Sequence, residues 1–496
     1  MKKLSQPVSE GIKKFSEKDK EISNGMKRFS ENKKMEISNS IFDKSIKNGM
    51  IGLEIHVYLV TGEKLFCQCI ASRERGVKEN VFICPICTGQ PGGKPMAPNK
   101  TAVEKAVQIG LMLGCTISRE MRWQRKHYDW PDLPKGYQNT LSGRHAIPVG
   151  INGRFFGIKI LSMHLEEDPA AWDPETGRVD YNRSGLPLVE IVSEPDFTTG
   201  EEVVAWLGKL LHHLAYLKAA DSNAGIKVDV NVSIPRISER VEIKNLNSLE
   251  SIQLAIEHEL ARQAREGGTQ RETRRFDVAT GKTIKMREKE SGEDYRFIVD
   301  PDLPVLVLDS AFVKRQKDCL PETPDVKLAR LIDEYKIDKS HANILTKNID
   351  LVEFFERVSE KIDAKFALHW VTVELLRVLN YNKKKLDEID IAPEHFITLL
   401  ELVKFGKITE LQAKQILNKF VPKSFKPEAG AGKISDVKEL ERVIRQVIEK
   451  NPKAVEDYHA GGNQAFNFLM GEIMKATEKR ADFKVAGEVL RRVLSK

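Results

Sequence analysis

Segments in which apolar and polar residues alternate dominate the chain from residue 51 to about 308. Such alternation is typical of strands with one buried face, and turn residues separate the segments. The predicted strands are Ile51–Val57, Gly157–Leu165, Lys227–Ser233, Val241–Lys244 and Val305–Leu308. Between them, apolar residues recur at helical spacing in residues 101–114, 200–218 and 248–265, and Gly267-Gly268 ends the third of these helices. The pattern predicts an α+β fold built around a large antiparallel sheet.

From about residue 322 onward, apolar residues recur almost entirely at helical spacing. A segment rich in proline and glycine, residues 421–432, interrupts this region and is typical of a hinge. We therefore predict three folded domains, which are a sheet domain at 49–308, an all-α helical domain at 322–425 and a C-terminal helical domain at 434–496.

The first 48 residues differ from the rest of the chain. They contain 12 lysines and arginines against 7 acidic residues, few large apolar side chains, and a crude repeat of 14 or 15 residues. Such a segment cannot bury enough surface to offset the entropy of ordering, so we predict a disordered extension, with a basic tether for RNA as the alternative. The remaining residues hold 67 basic against 65 acidic side chains. Nucleic-acid binding by the folded part must therefore depend on local basic patches.

The overall composition is that of a soluble globular protein, with 41% hydrophobic and 30% charged residues. No run of 18 apolar residues is present, which argues against a transmembrane helix and a membrane partner. The N-terminus lacks the apolar segment of a secretory signal. Six cysteines in 496 residues are too few for a disulfide scaffold, and we expect a cytoplasmic protein.

Four of the six cysteines form two close pairs. Cys67 and Cys69 are followed, after 14 intervening residues, by Cys84 and Cys87. Two such pairs on either side of a short loop match the ligand spacing of a tetrahedral zinc site, and four protein ligands would make that site structural and closed. The alternative is four unrelated buried thiols. The two remaining cysteines stand alone, and we interpret both as core thiols.

Acidic residues and histidines recur on the predicted strands. Three pairs of polar residues lie two positions apart and therefore share a strand face. They are Glu54 with His56, His164 with Glu166, and Asp229 with Asn231. Glu190 is a further acid, within the otherwise apolar run Leu188–Val192. Several acids together with a histidine indicate a Mg²⁺ site, because a hard cation prefers oxygen ligands, whereas isolated salt bridges are the alternative.

The sequence contains no phosphate-binding P-loop. The tripeptide Gly281-Lys282-Thr283 resembles the end of one, but Phe276 stands where a glycine is needed. The chain also lacks a glycine- and serine-rich amidase segment and an obvious Cys/His nucleophile pair. It therefore has no evident means of releasing ammonia from glutamine by itself.

Two tryptophans, Trp123 and Trp130, flank the basic segment Arg125–Tyr128. Aromatic residues beside cations can stack on nucleotide bases. An anchored surface loop explains the same composition equally well.

One long run, Val179–Pro195 (VDYNRSGLPLVEIVSEP), carries a family signature. It is similar throughout to the signature of the GatB family of the tRNA-dependent amidotransferases. Supporting matches are GLEIHV at 52–57, PDLPKGYQ at 131–138, HLEED at 164–168, EIKNLNS at 242–248 and ETRRFD at 272–277. With a tail segment at 461–475, the resemblance covers about residues 51–496, and residues 1–48 have no recognised counterpart.

The resemblance implies a reaction, its cofactors and its partners. ATP, with Mg²⁺, phosphorylates the side-chain carboxylate of Glu on tRNA(Gln) or of Asp on tRNA(Asn). Ammonia from an amidase partner, GatA, then displaces the phosphate, and a small partner, GatC, braces the pair in a heterotrimer. The sheet domain would be a cradle for the charged end of the misacylated tRNA. The C-terminal domain, YqeY-like, would contact the outer corner of the tRNA.

Site residues follow from the motifs of the family. The implied catalytic residues are Glu54, His56, Glu166, Glu190 and Asp229. Of these, His56, Glu166 and Glu190 would bind Mg²⁺, and the other two would lie on a channel wall or at a second cation site. The structural Zn²⁺ ligands of the zinc-bearing branch match Cys67, Cys69, Cys84 and Cys87. Residues implied to contact the substrate or the tRNA are Arg125, Lys126, Lys135, Tyr137 and Arg183.

The segment 221–227 departs from the family pattern. Serine and asparagine replace two carboxylates there, and Lys227 replaces an arginine, which removes a bidentate contact for phosphate or carboxylate. Two alternatives to a GatB protein stay open. One is GatE, from the archaeal amidotransferase of two subunits, whose extra inserted domain this chain has no room for. The other is a non-catalytic, zinc-stabilised tRNA-binding protein descended from the enzyme.

Overall fold

The computed structural model describes residues 49–73, 76–221, 225–268, 270–288, 295–428, 434 and 436–495. The predicted N-terminal extension, part of segment 221–227 and part of the hinge at 421–432 lie outside the described residues. The chain divides into two compact units. The first comprises the described residues up to Lys209 together with Ala220–Asp318. The second comprises Leu210–Ala219 together with the described residues from Cys319 onward.

The first unit is built around β-strands. Their bounds are β1 Met50–Tyr58, β2 Thr116–Ile117, β3 Glu120–Met121, β4 Gln124–His127, β5 Gln138–Thr140, β6 Gly150–Phe155, β7 Ile158–Glu167, β8 Ala171–Trp172, β9 Val179–Asp180, β10 Pro187–Ser193, β11 Lys227–Ser233, β12 Val241–Leu246, β13 Glu272–Asp277, β14 Lys282–Glu288, β15 Arg296–Val299 and β16 Leu306–Val307. The helices up to residue 318 are α1 Lys100–Met112, α2 Gly200–Tyr216, α3 Leu249–Glu266 and α4 Ser310–Asp318. The strands and helices predicted in this region are confirmed, each within two residues of its expected bounds.

Twelve of the described strands form one sheet. The hydrogen-bonded order is β14-β13-β12-β11-β1-β10-β7-β5-β4-β15, with β6 beside β7 and β2 beside β6. Strands β12 and β13 run parallel, so the sheet is mixed and not wholly antiparallel as predicted. The reason lies in α3, because a helix that connects two neighbouring strands returns the chain to the same end of the sheet and makes the strands parallel.

Strand β1 shows how the sequence forms this sheet. The side chains of Leu53, Ile55 and Val57 are at most 2% exposed, and they alternate with Glu54 and His56. One face of the strand therefore packs in an apolar core while the other carries polar groups. The apolar residues of β10 and β11 lie opposite those of β1, so the polar residues of all three strands share the second face.

Two short strand pairs, β3 with β16 and β8 with β9, stand outside the large sheet. The tripeptide Gly281-Lys282-Thr283 lies at the hairpin between β13 and β14, where Gly281 has a φ of 66° and β14 begins at Lys282. A P-loop would place these residues at the start of a helix. The prediction that this tripeptide is not a P-loop is therefore confirmed.

The second unit is helical, as the sequence predicts for residues 322 onward. Its helices are α5 Pro324–Tyr335, α6 Lys339–Thr346, α7 Ile349–Ser359, α8 Ala364–His369, α9 Leu376–Tyr381, α10 Pro393–Lys404, α11 Glu410–Asn418, α12 Val437–Lys450, α13 Pro452–His459, α14 Asn463–Ala476 and α15 Phe483–Leu494. Buried apolar side chains form two groups, one within residues 331–420 and one within 434–494. The domain boundaries at 322–425 and 434–496 stay predictions. In the part of the chain that is described, no helix is both long and apolar enough to cross a membrane.

Candidate functional site

The polar face of the large sheet brings together residues that the sequence singled out. His56 on β1 lies directly opposite Glu190 on β10, and Glu190 lies opposite His164 on β7. On the other side of β1, Glu54 lies opposite Asp229 on β11. Directly opposed residues of antiparallel strands project from the same face, so these five residues share one surface, which we call the acidic face.

Glu166 joins the acidic face from β7. His56 Nε2 is 3.7 Å from a carboxylate oxygen of Glu166 and 3.7 Å from one of Glu190. Thr140 donates a hydrogen bond of 2.9 Å to the second oxygen of Glu166. In contrast, Glu190 Oε2 and His56 Nδ1 are buried and have no hydrogen-bond partner among the described residues. A buried carboxylate oxygen without a donor is costly unless a cation or a ligand binds to it.

The two carboxyl groups beside His56 differ in acidity. Burial, followed by the charge of Glu190, raises the pKa of Glu166 to about 8. Burial opposes ionisation of Glu190 too, but the charges of His164, His56 and Lys126 outweigh it and lower its pKa. Near neutral pH, Glu166 therefore holds a proton while Glu190 is ionised. A metal ion bound to Glu166 must displace that proton.

The raised pKa of Glu166 predicts how stability depends on pH when divalent cations are absent. Because the pKa in the folded chain lies above the ordinary value of 4.5, folding takes up a proton between these two values. The associated stability is complete below about pH 4.5 and is lost as the pH rises through about 8. We expect Glu166→Gln to remove this dependence, on the order of 1 kcal/mol per pH unit, from thermal unfolding curves recorded across that range. The exposed Glu120→Gln variant should retain it, and an unchanged slope in Glu166→Gln would contradict the assignment.

A second cluster of carboxylates lies beside the first. One oxygen each from Glu54, Asp229 and Glu242 can be chosen so that all three atoms lie within 4.8 Å of one another. Lys244 Nζ is 3.5 Å from Asp229 and 3.0 Å from Glu242, and Asn231 donates a hydrogen bond of 3.1 Å to Glu54. Burial, followed by the neighbouring carboxylates, raises the pKa of Glu54. This cluster is compact enough to hold a cation, and Lys244 supplies part of the compensating charge.

Sequence reasoning did not single out Glu242 or Lys244 as site residues. The signal was present in the alternation of β12, where Val241 and Ile243 are buried and the two charged residues occupy the intervening positions. Applying the period of two to the EIKNLNS segment would have placed both on the acidic face.

The predicted magnesium ligands are less compact than this second cluster. Among the described residues, His56, Glu166 and Glu190 do not offer three ligand atoms within 4.8 Å of one another. Octahedral Mg²⁺ binds its ligands at about 2.1 Å, so two ligand atoms can be at most about 4.2 Å apart. One carboxylate must therefore turn toward His56 before all three residues can bind one ion.

The four predicted zinc ligands converge. The sulfur atoms of Cys67, Cys69, Cys84 and Cys87 lie within 4.8 Å of one another, and those of Cys84 and Cys87 are 3.9 Å apart. A tetrahedron with Zn–S bonds of about 2.3 Å has edges of about 3.8 Å, so the arrangement fits a zinc ion. A hydrogen bond from Cys67 lowers the pKa of Cys87 to about 5 against the effect of burial. The low pKa favours the thiolate form that binds metal.

Hydrogen bonds tie the loop between the cysteine pairs to the signature run. Asn182 Oδ1 accepts bonds of 2.9 Å from the backbone N–H groups of both Val81 and Phe82. Ser184 Oγ donates a bond of 2.7 Å to the carbonyl of Cys87. The signature run continues into β10, which carries Glu190. The cysteine loop and the acidic face therefore share one continuous segment of chain.

Two of the residues implied to contact the tRNA are paired internally. Arg125 lies 2.8 Å from Asp300 through Nε and 2.7 Å from Asp302 through Nη2. Lys135 forms an ion pair with Glu167, and both side chains are buried. Carboxylates of the same chain thus compensate both charges, which weakens their attraction for phosphate groups.

The other three implied contact residues have different surroundings. Lys126 lies near the acidic face, since its charge acts on the pKa of both Glu166 and Glu190. Arg183 Nε is 3.2 Å from Asp168, and the Arg183 side chain is about two-fifths exposed. The ring of Tyr137 packs beneath the guanidinium of Arg125, with 4.3 Å between the guanidinium carbon and the ring centre.

Two interpretations of single residues are corrected by the structure. Trp123 is 1% exposed, which excludes base stacking by this residue, whereas Trp130 is 52% exposed and packs edge-on against Trp172 with ring centres 5.4 Å apart. Cys115 is a buried thiol as predicted, but Cys319 is exposed, so the prediction of a core thiol at that position is wrong. Local composition does not distinguish a buried from an exposed member of these residue types.

Two family models match the chain. Residues 49–314 match a model described as the GatB/GatE catalytic domain, and residues 353–494 match one described as the GatB domain. The first match alone covers more than half of the chain and contains the whole acidic face and the four clustered cysteines.

Curated relatives match over almost their full length. The chain is 41% identical over 466 residues to the GatB protein of the aspartyl/glutamyl-tRNA(Asn/Gln) amidotransferase of Methanocaldococcus jannaschii, a match that covers 90% of this chain and 98% of that protein. It is 42% identical over 458 residues to the protein of the same name from Methanopyrus kandleri, covering 89% and 97%. With the Methanothermobacter thermautotrophicus protein of this name it shares 43% identity over 441 residues, covering 87% and 97%.

Proposed function

This chain belongs to the GatB family, and we propose from that premise that its acidic face activates the side-chain carboxylate of a misacylated tRNA with ATP. A GatB protein is one component of a tRNA amidotransferase complex, a carbon–nitrogen ligase that uses glutamine as the amido donor. The substrates that we assign are Glu-tRNA(Gln), Asp-tRNA(Asn) or both, and the products are Gln-tRNA(Gln) and Asn-tRNA(Asn).

One observation carries the assignment of the reacting site. Glu190 Oε2 is buried without a partner among the described residues, and the other oxygen of this carboxylate is 3.7 Å from His56 Nε2, beside a protonated Glu166. Such an arrangement is poorly satisfied by the chain alone and is suited to binding a hard cation. We assign His56, Glu166 and Glu190 as Mg²⁺ ligands, and Glu54 and Asp229 as members of an adjacent polar cluster.

The chemistry requires that a poor acyl donor be made reactive. Mg²⁺, when bound, neutralises phosphate oxygens and orients in-line phosphoryl transfer. A carboxylate oxygen of the aminoacyl side chain forms a bond to the γ-phosphorus as the bond to ADP breaks. Ammonia then attacks the acyl carbon, the carbon–oxygen bond to phosphate breaks, and a proton leaves the new amide nitrogen. Lys126 and Arg183 are the cations of the chain that we assign to phosphate or acceptor-end oxygens.

The ammonia must come from elsewhere, because the sequence carries no glutaminase machinery. We therefore propose the amidase GatA and the small protein GatC as partners in a heterotrimer that works in the cytoplasm. Water competes with ammonia for an acyl phosphate, so the reacting centre must exclude it. The Cys₄ group we assign as a structural zinc site that orders the loop at 67–87.

The direct test supplies free ammonium in place of the amidase partner. Purified chain is incubated with ATP, Mg²⁺ and Glu-tRNA(Gln), and Gln-tRNA(Gln) is measured after hydrolysis of the ester. We expect product formation and ATP hydrolysis that both require the charged tRNA. The same assay with Asp-tRNA(Asn) decides the substrate preference.

Two results would favour the alternatives. Tight tRNA binding and a full zinc complement without product, repeated in the presence of GatA and GatC, would indicate a non-catalytic tRNA-binding protein. A GatE-type enzyme is disfavoured, because the three relatives from methanogens are GatB proteins by name and match over 97–98% of their length.

A further inference from the structure

Lys64 is among the largest fully buried side chains of the described chain, with an exposed fraction of 1%. Moving an ammonium group out of water is costly unless other groups compensate its charge and its hydrogen bonds. Among the described residues, no carboxylate pairs with Lys64. Its ammonium instead donates to the carbonyl of Tyr181 at 3.1 Å and to Cys87 Sγ at 3.6 Å. A neutral carbonyl and a single sulfur do not by themselves explain why a charged side chain is buried here.

The Cys₄ group supplies the missing negative charge. Four thiolates around one Zn²⁺ carry a formal charge of about −2, which is itself costly to bury. A cation in contact with one of the sulfurs compensates part of that charge. Two buried charges of opposite sign, each unfavourable alone, therefore stabilise one another.

We propose that Lys64 is the counter-cation of the Cys₄ metal centre and holds that centre against the signature run. This inference rests on the proposed zinc site but not on the proposed amidation reaction. Lys64 is a positioning residue and not a metal ligand. Its role is to retain the metal and to fix the orientation of Cys87.

The backbone around Lys64 fits this role. The Lys64 N–H donates to the carbonyl of Cys69 at 3.0 Å, so the residue contacts both cysteine pairs. The next residue, Leu65, donates to the carbonyl of Gly185 at 2.8 Å. Together with the side-chain bond to Tyr181, these contacts join both halves of the metal site to the segment that leads into β10.

The test compares zinc retention in three variants of the full chain. Lys64→Gln keeps most of the side-chain length and the N–H donors but removes the charge, whereas Lys64→Met removes both. Lys78→Met is the matched control, because Lys78 lies in the same loop but its side chain is exposed. We measure the rate of zinc transfer to a chromogenic chelator and the zinc affinity by competition. Circular dichroism verifies the fold of each variant.

We expect both Lys64 variants to lose zinc at least about tenfold faster than wild type, with Lys78→Met within about twofold. In Co²⁺-substituted protein, the thiolate-to-cobalt charge-transfer band should shift in the Lys64 variants, a readout that a general packing defect would not move. Wild-type zinc retention and an unshifted band in Lys64→Gln would overturn the inference. Absence of bound metal in the wild type would instead overturn both this inference and the proposed zinc site, and neither result would bear on amidation.

Discussion

Replacing Glu190 with glutamine is expected to lower the rate of tRNA amidation by at least about a thousandfold while the chain remains folded. Glutamine preserves the size of the side chain but removes the negative charge beside His56. The rate should fall because the charge that we assign to Mg²⁺ binding is lost. The melting temperature should change little, since Glu190 Oε2 has no hydrogen-bond partner among the described residues to lose. The measurement is the ammonium-dependent formation of amidated tRNA, together with a thermal melt.

The control for this prediction is Glu120→Gln, which removes an exposed carboxylate from β3 in the same unit. It should leave the amidation rate within about twofold of wild type, as expected for a surface substitution away from the site. A Glu190→Gln variant that amidates at the wild-type rate would refute the metal assignment. A variant that fails to melt cooperatively would be replaced by Glu190→Asp, for which we expect a smaller but clear loss of rate.

Replacing Cys87 with serine is expected to reduce bound zinc from about one ion per chain to near zero. Serine leaves three thiols and a hydroxyl, and zinc binds the hydroxyl poorly. The loop at 67–87 would then lose the metal that joins its two ends, so we expect the melting temperature to fall by about 5 °C or more. Amidation should fall with it, because Ser184 and Lys64 anchor the segment leading to Glu190 against this cysteine.

Cys319→Ser provides the matched control, since it makes the same chemical change at an exposed, isolated cysteine. Metal content by elemental analysis and the thermal melt should both equal those of wild type. If Cys87→Ser retained a full complement of zinc, the assignment of the four ligands would be wrong. If it lost zinc but melted like wild type, the metal would be bound without stabilising the loop.

Much of the acidic face could be predicted from the sequence, because period-two alternation is a local property. The spacing of Glu54 from His56, with buried Leu53 and Ile55 beside them, assigned the two polar residues to one face. The convergence of the four cysteines was equally local, since each pair lies within three residues. What the alternation could not supply was the register that places Glu190 opposite His56.

The residues that were missed owe their positions to distant parts of the chain. Lys64 stands in a polar stretch typical of a surface loop, and only the fold buries it against Cys87 and Tyr181. Trp123 could not be recognised as a core residue, because its neighbours in sequence are charged. The parallel pairing of β12 with β13 could have been anticipated, since the predicted helix at 248–265 separates two strand-like segments in the manner of a crossover connection.

The strict alternation in β1, β7 and β10 also determines where the length of the chain can vary. Deleting one residue within β1 would exchange its two faces, so that His56 would enter the apolar core and Ile55 would replace it among the carboxylates. No position in the middle of these strands is neutral to such a change. The turn at 173–178, which joins β8 to β9, is exposed throughout and has no such constraint. Natural insertions and deletions among relatives should therefore accumulate in turns of this kind and be absent from the three strands.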